Sequence, residues 1–425
     1  MAGFAHLGVA PPLFSLVIFI LGHGLLTTLL TIRLSAEQVS PQWIGLVSTA
    51  YFAGLVFGSF MNARLITRVG HIRAYAAYAS ILACVAIIHG LIVEPLTWAF
   101  LRLIGGFATG GLFVVIESWM LVSSTPANRG RLMAIYMILL YGALACGQLL
   151  LKYIDPMVLV PFALTAMAAS LSVVPLSLTR VAMPSLEAPQ GISFFALLKL
   201  TPAGMWGCFT SGLVLGALYG LLPLYFTDSH YSLEQVANMM AIVILGGMCL
   251  QYPLGRLSDR MDRRQVLSLL CVGLVAIAMA LVLLPTPQPS WVLASLIFLF
   301  GGLAFSIYPL ALSHSCDELT PEQVISANQG LLLSYSLGAM AGPLLAPLAI
   351  SLIGPQGLFA YFGICGAGLS LFLLWRRRVR APVPLEEHQA FTPVPPNTPV
   401  AAELDPRSDI NQSEDNERQW PPGHN

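Results

Sequence analysis

The chain has 425 residues, of which 56% are hydrophobic and 9% are charged, and its mean hydropathy is +0.77. Soluble globular domains carry about 25% charged residues, so this composition excludes a soluble domain and predicts an integral membrane protein. The formal net charge is zero, and no basic stretch is interleaved with aromatic residues, so no nucleic-acid partner is predicted. The seven cysteines are scattered singly, without the paired spacing of a zinc site. Neither a metal nor another cofactor is therefore expected.

Apolar stretches long enough to cross a bilayer recur along the whole chain, since a membrane helix needs about 20 residues. They predict an all-α membrane protein with twelve transmembrane helices, at residues 13–33, 42–62, 74–93, 96–122, 132–151, 157–178, 204–226, 234–255, 265–285, 290–313, 326–349 and 353–375. The first of them lacks the charged flank and the cleavage site of a signal peptide. We therefore expect it to stay in the protein as a membrane helix.

Lysine and arginine concentrate in the loops that follow even-numbered spans, for example Arg68 and Arg73 after span two and Arg263 and Arg264 after span eight. Because positively charged loops remain in the cytoplasm, this pattern predicts that both termini are cytoplasmic. The loop after span ten is the exception, since it contains Asp317 and no lysine or arginine.

Short internal repeats indicate two related halves with parallel orientation. Residues 63–73 are a degenerate copy of the stretch that begins at Gly255, and Gly110-Gly111-Leu112 recurs as Gly301-Gly302-Leu303. Transporters are commonly built from such duplicated helical halves. The predicted organisation is an N-terminal six-helix half at 1–178, a central cytoplasmic loop at 179–203, a C-terminal six-helix half at 204–375 and a disordered cytoplasmic tail at 376–425.

The most charged stretch of the apolar body connects spans eight and nine and reads Gly255-Arg256-Leu257-Ser258-Asp259-Arg260-Met261-Asp262-Arg263-Arg264. It resembles the GxLxDRxGRR loop signature of the major facilitator superfamily of secondary transporters, with Asp262 where the family usually has glycine. The earlier copy has Thr67 in place of the acidic residue. The resemblance implies a cytoplasmic gating motif composed of Gly255, Asp259, Arg260, Arg263, Arg264, Arg68, Gly70 and Arg73.

Further stretches resemble the bacterial YcaD-like branch of this superfamily, namely residues 114–118, 128–132, 147–150 and 212–225. The resemblance covers the membrane part of the chain, residues 13–375. It implies the twelve-helix fold of the superfamily and a carrier in the bacterial inner membrane. It does not indicate which substrate is carried.

Few ionisable residues lie within the predicted spans, and each is a candidate for transport or coupling because a charge inside a bilayer is costly unless paired or hydrated. Arg102 is expected to bind an anionic group of the substrate or to tune a proton-carrying carboxylate. The alternative is that its side chain extends to the outer membrane interface. Glu117 is expected to pair with Arg68 or Arg73 in a latch, with direct contact to protons or substrate as the alternative. His23 is expected to bond to a neighbouring helix, although its ordinary pKa would also suit proton relay.

Other polar and aromatic side chains within the spans are candidates to line a central cavity, in particular Gln148, Gln251, Asn238 and Tyr219. Glycines four residues apart also occur on spans seven and eleven. Such spacing predicts close packing of membrane helices, and it applies to Gly212, Gly216 and Gly220 and to Gly338 and Gly342.

We therefore predict a secondary active transporter that moves a small solute across the lipid bilayer by alternating access, as a monomer. The sequence has no nucleotide-binding loop, metal-ligand cluster or nucleophile triad, so an enzyme is not expected. An ion gradient is the expected energy source, with protons as the coupling ion, and export is preferred over uptake. The competing hypothesis is a membrane sensor or scaffold that has a transporter fold and signals through its acidic, proline-rich tail.

Overall fold

The computed structural model describes residues 9–124, 128–178, 194–285, 290–319, 321–379, 383–396, 398 and 400. Within these ranges twelve helices are long and apolar enough to span a membrane, which confirms the predicted all-α fold. They are α1 (Ala10–Ala36), α2 (Pro41–Val69), α3 (His71–Leu91), α4 (Pro95–Val122), α5 (Arg129–Leu149), α6 (Val160–Ser177), α7 (Pro202–Asp228), α8 (Leu233–Ser258), α9 (Arg263–Leu283), α10 (Ser290–Glu318), α11 (Pro321–Ile353) and α12 (Gly357–Val379). A short helix, Phe194–Leu200, precedes α7.

The helix ends follow local sequence signals. Pro41, Pro95 and Pro202 stand in the first turns of α2, α4 and α7, where the missing N–H removes no helical hydrogen bond. Ser232 and Gln235 form a capping box at the start of α8, which satisfies two N–H groups that the helix itself leaves unbonded. These signals place the first residues of α2, α4, α7 and α8 close to the predicted starts of their spans.

The two halves repeat the same helix packing. In the first half α1 packs on α5, α2 on α4 and α3 on α6; in the second half α7 packs on α11, α8 on α10 and α9 on α12. A Cβ added to Gly106 of α4 would overlap the carbonyl oxygen of Tyr51 on α2, and one added to Gly301 of α10 would overlap that of Val243 on α8. Equivalent helix pairs therefore approach each other through small residues, as membrane helices commonly do.

The glycines of α7 and α11 fulfil the packing prediction. A Cβ on Gly212 would overlap the carbonyl oxygen of Tyr335, and a Cβ on Gly338 would overlap that of Phe209. These glycines let the two backbones meet. They therefore need no role in transport to account for their spacing.

The two ends of the helical bundle carry different connections. One end, called the basic end, carries the α2–α3 connection at residue 70 and the α8–α9 connection at residues 259–262. The opposite end, called the far end, carries the α1–α2 connection at residues 37–40. At the far end the two halves touch. Thr31 Oγ1 donates a hydrogen bond to the Gly220 carbonyl at 2.9 Å, and Thr49 Oγ1 donates to the Met340 carbonyl at 2.9 Å.

A third far-end contact joins the last turns of α1 and α7. Ser35 Oγ lies 3.2 Å from Thr227 Oγ1. Together these bonds join the two halves at the far end.

The two short connections at the basic end differ in backbone conformation. Gly70 has φ +88°, a value that favours glycine because a side chain is strained there. Asp262 has φ −55°, and its carboxylate accepts a hydrogen bond from the Arg264 amide as the N-cap of α9. The position where the family usually has glycine therefore accepts aspartate here, because no positive φ is required.

The tail differs from its prediction over the part that the structure describes. Instead of leaving the bundle as a disordered segment, residues 383–396 return to its basic end, where Phe391 is 8% and Val394 2% exposed. The Phe391 amide donates to the Asp259 carboxylate, at 3.0 and 3.2 Å from its two oxygens. The polar average composition of the tail hides these few apolar side chains and the backbone N–H groups that find partners, so the expectation of disorder does not hold for this stretch.

Candidate functional site

A central cavity lies between the two halves, with walls from α1, α2, α4 and α5 on one side and from α7, α10 and α11 on the other. The tail residues Pro395 and Pro396 also line it. Most of the lining is apolar, and its polar part consists of His23, Thr27, Thr31, Ser48, Tyr51, Arg102, Tyr141, Tyr219 and Tyr335. An apolar cavity with a few converging polar groups is the usual form of a site for a small molecule.

Three of these side chains form a row across the first half. The guanidinium carbon of Arg102 lies 4.0 Å from the centre of the Tyr51 ring, a cation–π contact. The Tyr51 hydroxyl is 3.3 Å from His23 Nε2. Arg102 is 7% exposed, so its side chain faces the cavity and does not extend to the membrane interface. His23 on α1 therefore contacts the side chain of Tyr51 on α2.

The cavity lining is positively charged where the structure describes it. Arg102 is part of the lining, and no aspartate or glutamate is. No described carboxylate lies within 4.0 Å of the Arg102 guanidinium. In the same part of the chain, no cluster of three or more histidine, cysteine, aspartate or glutamate residues could hold a metal ion. The site therefore offers a cation and several hydroxyl groups to a bound molecule.

Glu117 lies inside the first half, away from the arginines that the sequence suggested as its partners. Its side chain is fully buried and accepts hydrogen bonds from the hydroxyl groups of Tyr136, at 2.7 Å, and of Thr398. Arg68 and Arg73 are exposed, and neither forms an ion pair with Glu117. The expected pairing is therefore not present in this structure, because the carboxylate is directed toward α5 and the tail and not toward the ends of α2 and α3.

An ion cluster occupies the basic end of the second half, and Arg263 is its centre. The Arg263 guanidinium is 2.5 Å from a carboxylate oxygen of Asp317 and 3.2 Å from one of Asp259. It also donates to Ser258 Oγ at 2.9 Å. The side chains of Arg263 and Asp317 are each 1% exposed. This Arg263 cluster ties together α8, α9 and α10 of one half.

The other residues of the gating motif are placed outside this cluster. Arg264 pairs with Asp262 at 3.3 Å, whereas Arg260 is exposed. In the first half, Arg68 and Arg73 are exposed and take part in no ion pair with the residues that the structure describes. The structure thus brings together Asp259 and Arg263 and separates them from the arginines of the first-half copy.

Asp317 is a partner of Arg263 that the sequence analysis placed in a loop. Helix α10 runs to Glu318, so Asp317 belongs to its last turn and faces the Arg263 cluster. His314 and Glu318, also buried, lie in the same turn with Nε2 and a carboxylate oxygen 3.6 Å apart. The available signal in the sequence was that Asp317 follows span ten, where a basic connection was expected. The structure explains this acidic residue as the ion-pair partner of Arg263.

Of the four residues predicted to line the cavity, one does so in the structure. Tyr219 lines the cavity, whereas Gln148, Gln251 and Asn238 do not belong to its lining. Gln148 is fully buried, with no hydrogen-bond partner for its amide among the described residues. Among the polar lining residues, those without a strong signal in the sequence are Thr27, Thr31, Ser48 and Tyr335.

Twelve spanning helices in two repeated halves around a central cavity are the architecture of a membrane transporter. The family profile of the Major Facilitator Superfamily matches residues 13–334. The uncharacterized MFS-type transporter YcaD of Escherichia fergusonii is 32% identical over 332 residues, which cover 77% of this chain and 85% of that protein. The chain therefore belongs to the major facilitator superfamily, as its loop motif indicated.

Solved structures share the fold at low sequence identity. The crystal structure of nucleoside transporter NupG matches with a TM-score of 0.72 and 16% identity, covering 87% of this chain and 98% of that chain. The D-xylose-proton symporter matches with a TM-score of 0.66 and 12% identity, covering 90% and 99%. These likenesses confirm the predicted twelve-helix fold.

Proposed function

We propose that this protein is a secondary active carrier that moves a small solute by alternating access between its two halves. The observation that carries the proposal is the cavity between the halves, which are joined at the far end by the contacts of Thr31 with Gly220 and of Ser35 with Thr227. A site held between two rocking halves is the arrangement that alternating access requires.

Arg102 is proposed to bind an anionic group of the solute. Its guanidinium is buried in the cavity, with Tyr51 as its described neighbour. A cation in a medium of low dielectric is stabilised by an anion that can accept its hydrogen bonds. The hydroxyl groups of Tyr141, Tyr219 and Tyr335 can bond to other polar atoms of the solute, and the apolar walls fit its carbon skeleton.

Protons are proposed as the coupling ion. The row of Arg102, Tyr51 and His23 joins the candidate solute site to a group that can carry a proton. Glu117 is a second buried group able to exchange one. The D-xylose-proton symporter shares the fold, which makes proton coupling compatible with this architecture but does not transfer its substrate to this chain.

The basic end is proposed to be the cytoplasmic end, with both termini in the cytoplasm of a bacterium and the protein in its inner membrane as a monomer. The concentration of arginine in the connections at that end supports this orientation. Export is proposed as the direction of transport, with a state that faces the cytoplasm as its loading step.

The experiment uses proteoliposomes incubated with a bacterial metabolite extract, with and without an imposed pH gradient. We expect mass spectrometry to find at least one small solute whose accumulation requires both the protein and the gradient, because proton movement supplies the energy. A solute whose flux ignores the gradient would contradict proton coupling. The same solute content as in empty liposomes under every gradient would contradict transport.

A further inference from the structure

We propose that the basic end of the cavity is a binding site for the chain's own tail. The occupant is residues 389–396 with Thr398, called the tail plug below. It holds the two halves in the arrangement that is open at the basic end, and it blocks the solute's path into the cavity. The tail plug must dissociate from the basic end before the carrier can complete a transport cycle.

The Arg263 cluster binds the backbone of the tail plug. The Gln389 amide donates to Asp317 at 3.1 Å, and the Gln389 carbonyl accepts a hydrogen bond from Arg263. Two residues further on, the Phe391 amide donates to Asp259 at 3.0 Å. Every charged member of the cluster therefore has a partner in the tail. Bonds between charged groups and backbone groups are among the stronger hydrogen bonds in proteins.

Gly255 of the gating motif leaves the space that the aromatic ring of the tail plug occupies. The Phe391 ring packs directly on Gly255, and a Cβ added to this glycine would overlap it. Val394 is buried as well, at 2% exposed. A larger residue at 255 would leave no room for the ring, so the absence of a side chain there has a function in tail binding.

The plug then crosses from the second half to the first. Pro395 and Pro396 line the central cavity, and the Thr398 hydroxyl donates to Glu117 on α4. The tail is thus bonded to both halves with its prolines between them. Closing the basic end requires the halves to meet where the plug lies, so a bound plug opposes that movement.

The tail needs only modest intrinsic affinity to occupy this site. It is part of the same chain and begins just after α12, which ends at Val379, so its effective concentration at the basic end is high. Proline-rich segments also lose little conformational freedom on binding, because their backbone is restricted beforehand. Both properties suit a segment that is bound at rest and can be released.

The first test is a disulfide between Gly255→Cys and Phe391→Cys, in a chain whose seven native cysteines are replaced, with a protease site inserted after Arg380. The Phe391 ring contacts Gly255, so the two positions are neighbours, and a disulfide forms between cysteines whose Cβ atoms come within about 3.5–4.5 Å. We expect the cleaved tail to stay attached until the disulfide is reduced. The control pairs Phe391→Cys with Arg73→Cys, since Arg73 is exposed at the basic end of the first half. Equal cross-linking of both pairs would overturn the proposal.

The second test measures access to the cavity without needing a transported solute. A cysteine at the lining residue Thr27 is labelled with a small maleimide in the full chain, in a chain truncated after Arg380 and in the Phe391→Ala variant. If the plug is bound in about nine-tenths of the molecules, its removal raises the labelling rate roughly tenfold. Phe391→Ala keeps the whole tail and should raise the rate in the same direction. Equal rates in all three proteins would overturn the proposal, and the proposed transport function would still stand.

Discussion

Replacing Arg102 with glutamine is expected to weaken solute binding by about 10- to 150-fold and to leave the protein folded. A hydrogen bond to a charged group is worth about 1.5–3 kcal/mol, and about 1.4 kcal/mol corresponds to a factor of ten in affinity. Glutamine keeps polar hydrogen-bonding groups in the cavity but removes the charge that faces the solute. The measurement is the concentration dependence of flux in proteoliposomes, for the solute that the extract experiment identifies.

The matched control for this substitution is Arg33→Gln. Arg33 lies at the far end and pairs with Glu37 at 3.0 Å, outside the cavity lining. We expect its variant to transport like the unmodified protein. Arg102→Lys retains the charge without the planar guanidinium, so an intermediate affinity is expected. An Arg102→Gln protein with unchanged flux would remove Arg102 from the solute site.

Replacing Asp317 with alanine is expected to destabilise the protein by about 3 kcal/mol. Removing one partner of a buried ion pair costs about 3–5 kcal/mol, because the other charge stays buried without compensation. Arg263 and Asp317 are each 1% exposed, and Asp259 remains as a second partner of Arg263 at 3.2 Å. The lower end of the range is therefore expected. Thermal unfolding in detergent measures the loss.

Two further variants test whether the loss of stability comes from the uncompensated buried charge or from the missing side chain. Glu37→Ala removes a carboxylate that is 40% exposed and pairs with Arg33 at 3.0 Å, so it should cost under about 1 kcal/mol. The double variant Arg263→Met with Asp317→Leu removes both charges and should recover part of the stability. A single Asp317→Ala variant that unfolds at the same temperature as the unmodified protein would contradict the role of the Arg263 cluster.

The fold could be predicted from the sequence because the bilayer imposes the same length on every span. Apolar runs, prolines at helix starts and the repeated loop motif were local signals. Arg102 and His23 were found for the same reason, since an ionisable residue inside an apolar run is conspicuous wherever the helix packs. For these residues the sequence indicated candidates, and the structure adds that Tyr51 lies between them.

The partners of these residues could not be predicted, because helix packing and not sequence spacing decides which side chains meet. Glu117 bonds to Tyr136 on the next helix and to Thr398 near the far end of the chain, whereas charge alone favoured arginines. Asp317 appeared to lie in a loop because its span was judged by hydropathy, and a paired acidic residue lowers hydropathy without ending a helix. The tail was judged by its average composition, which hides the contribution of single residues such as Phe391.

Alternating access is tested most directly by locking the far end. Ser35 Oγ and Thr227 Oγ1 lie 3.2 Å apart, so Ser35→Cys with Thr227→Cys can form a disulfide between the halves. The measurement is solute flux in proteoliposomes, in the chain without native cysteines, before and after oxidation and again after reduction, with each single variant as control. We predict that the disulfide stops transport, that reduction restores it and that the single variants are unaffected. Undiminished flux through fully cross-linked protein would contradict alternating access.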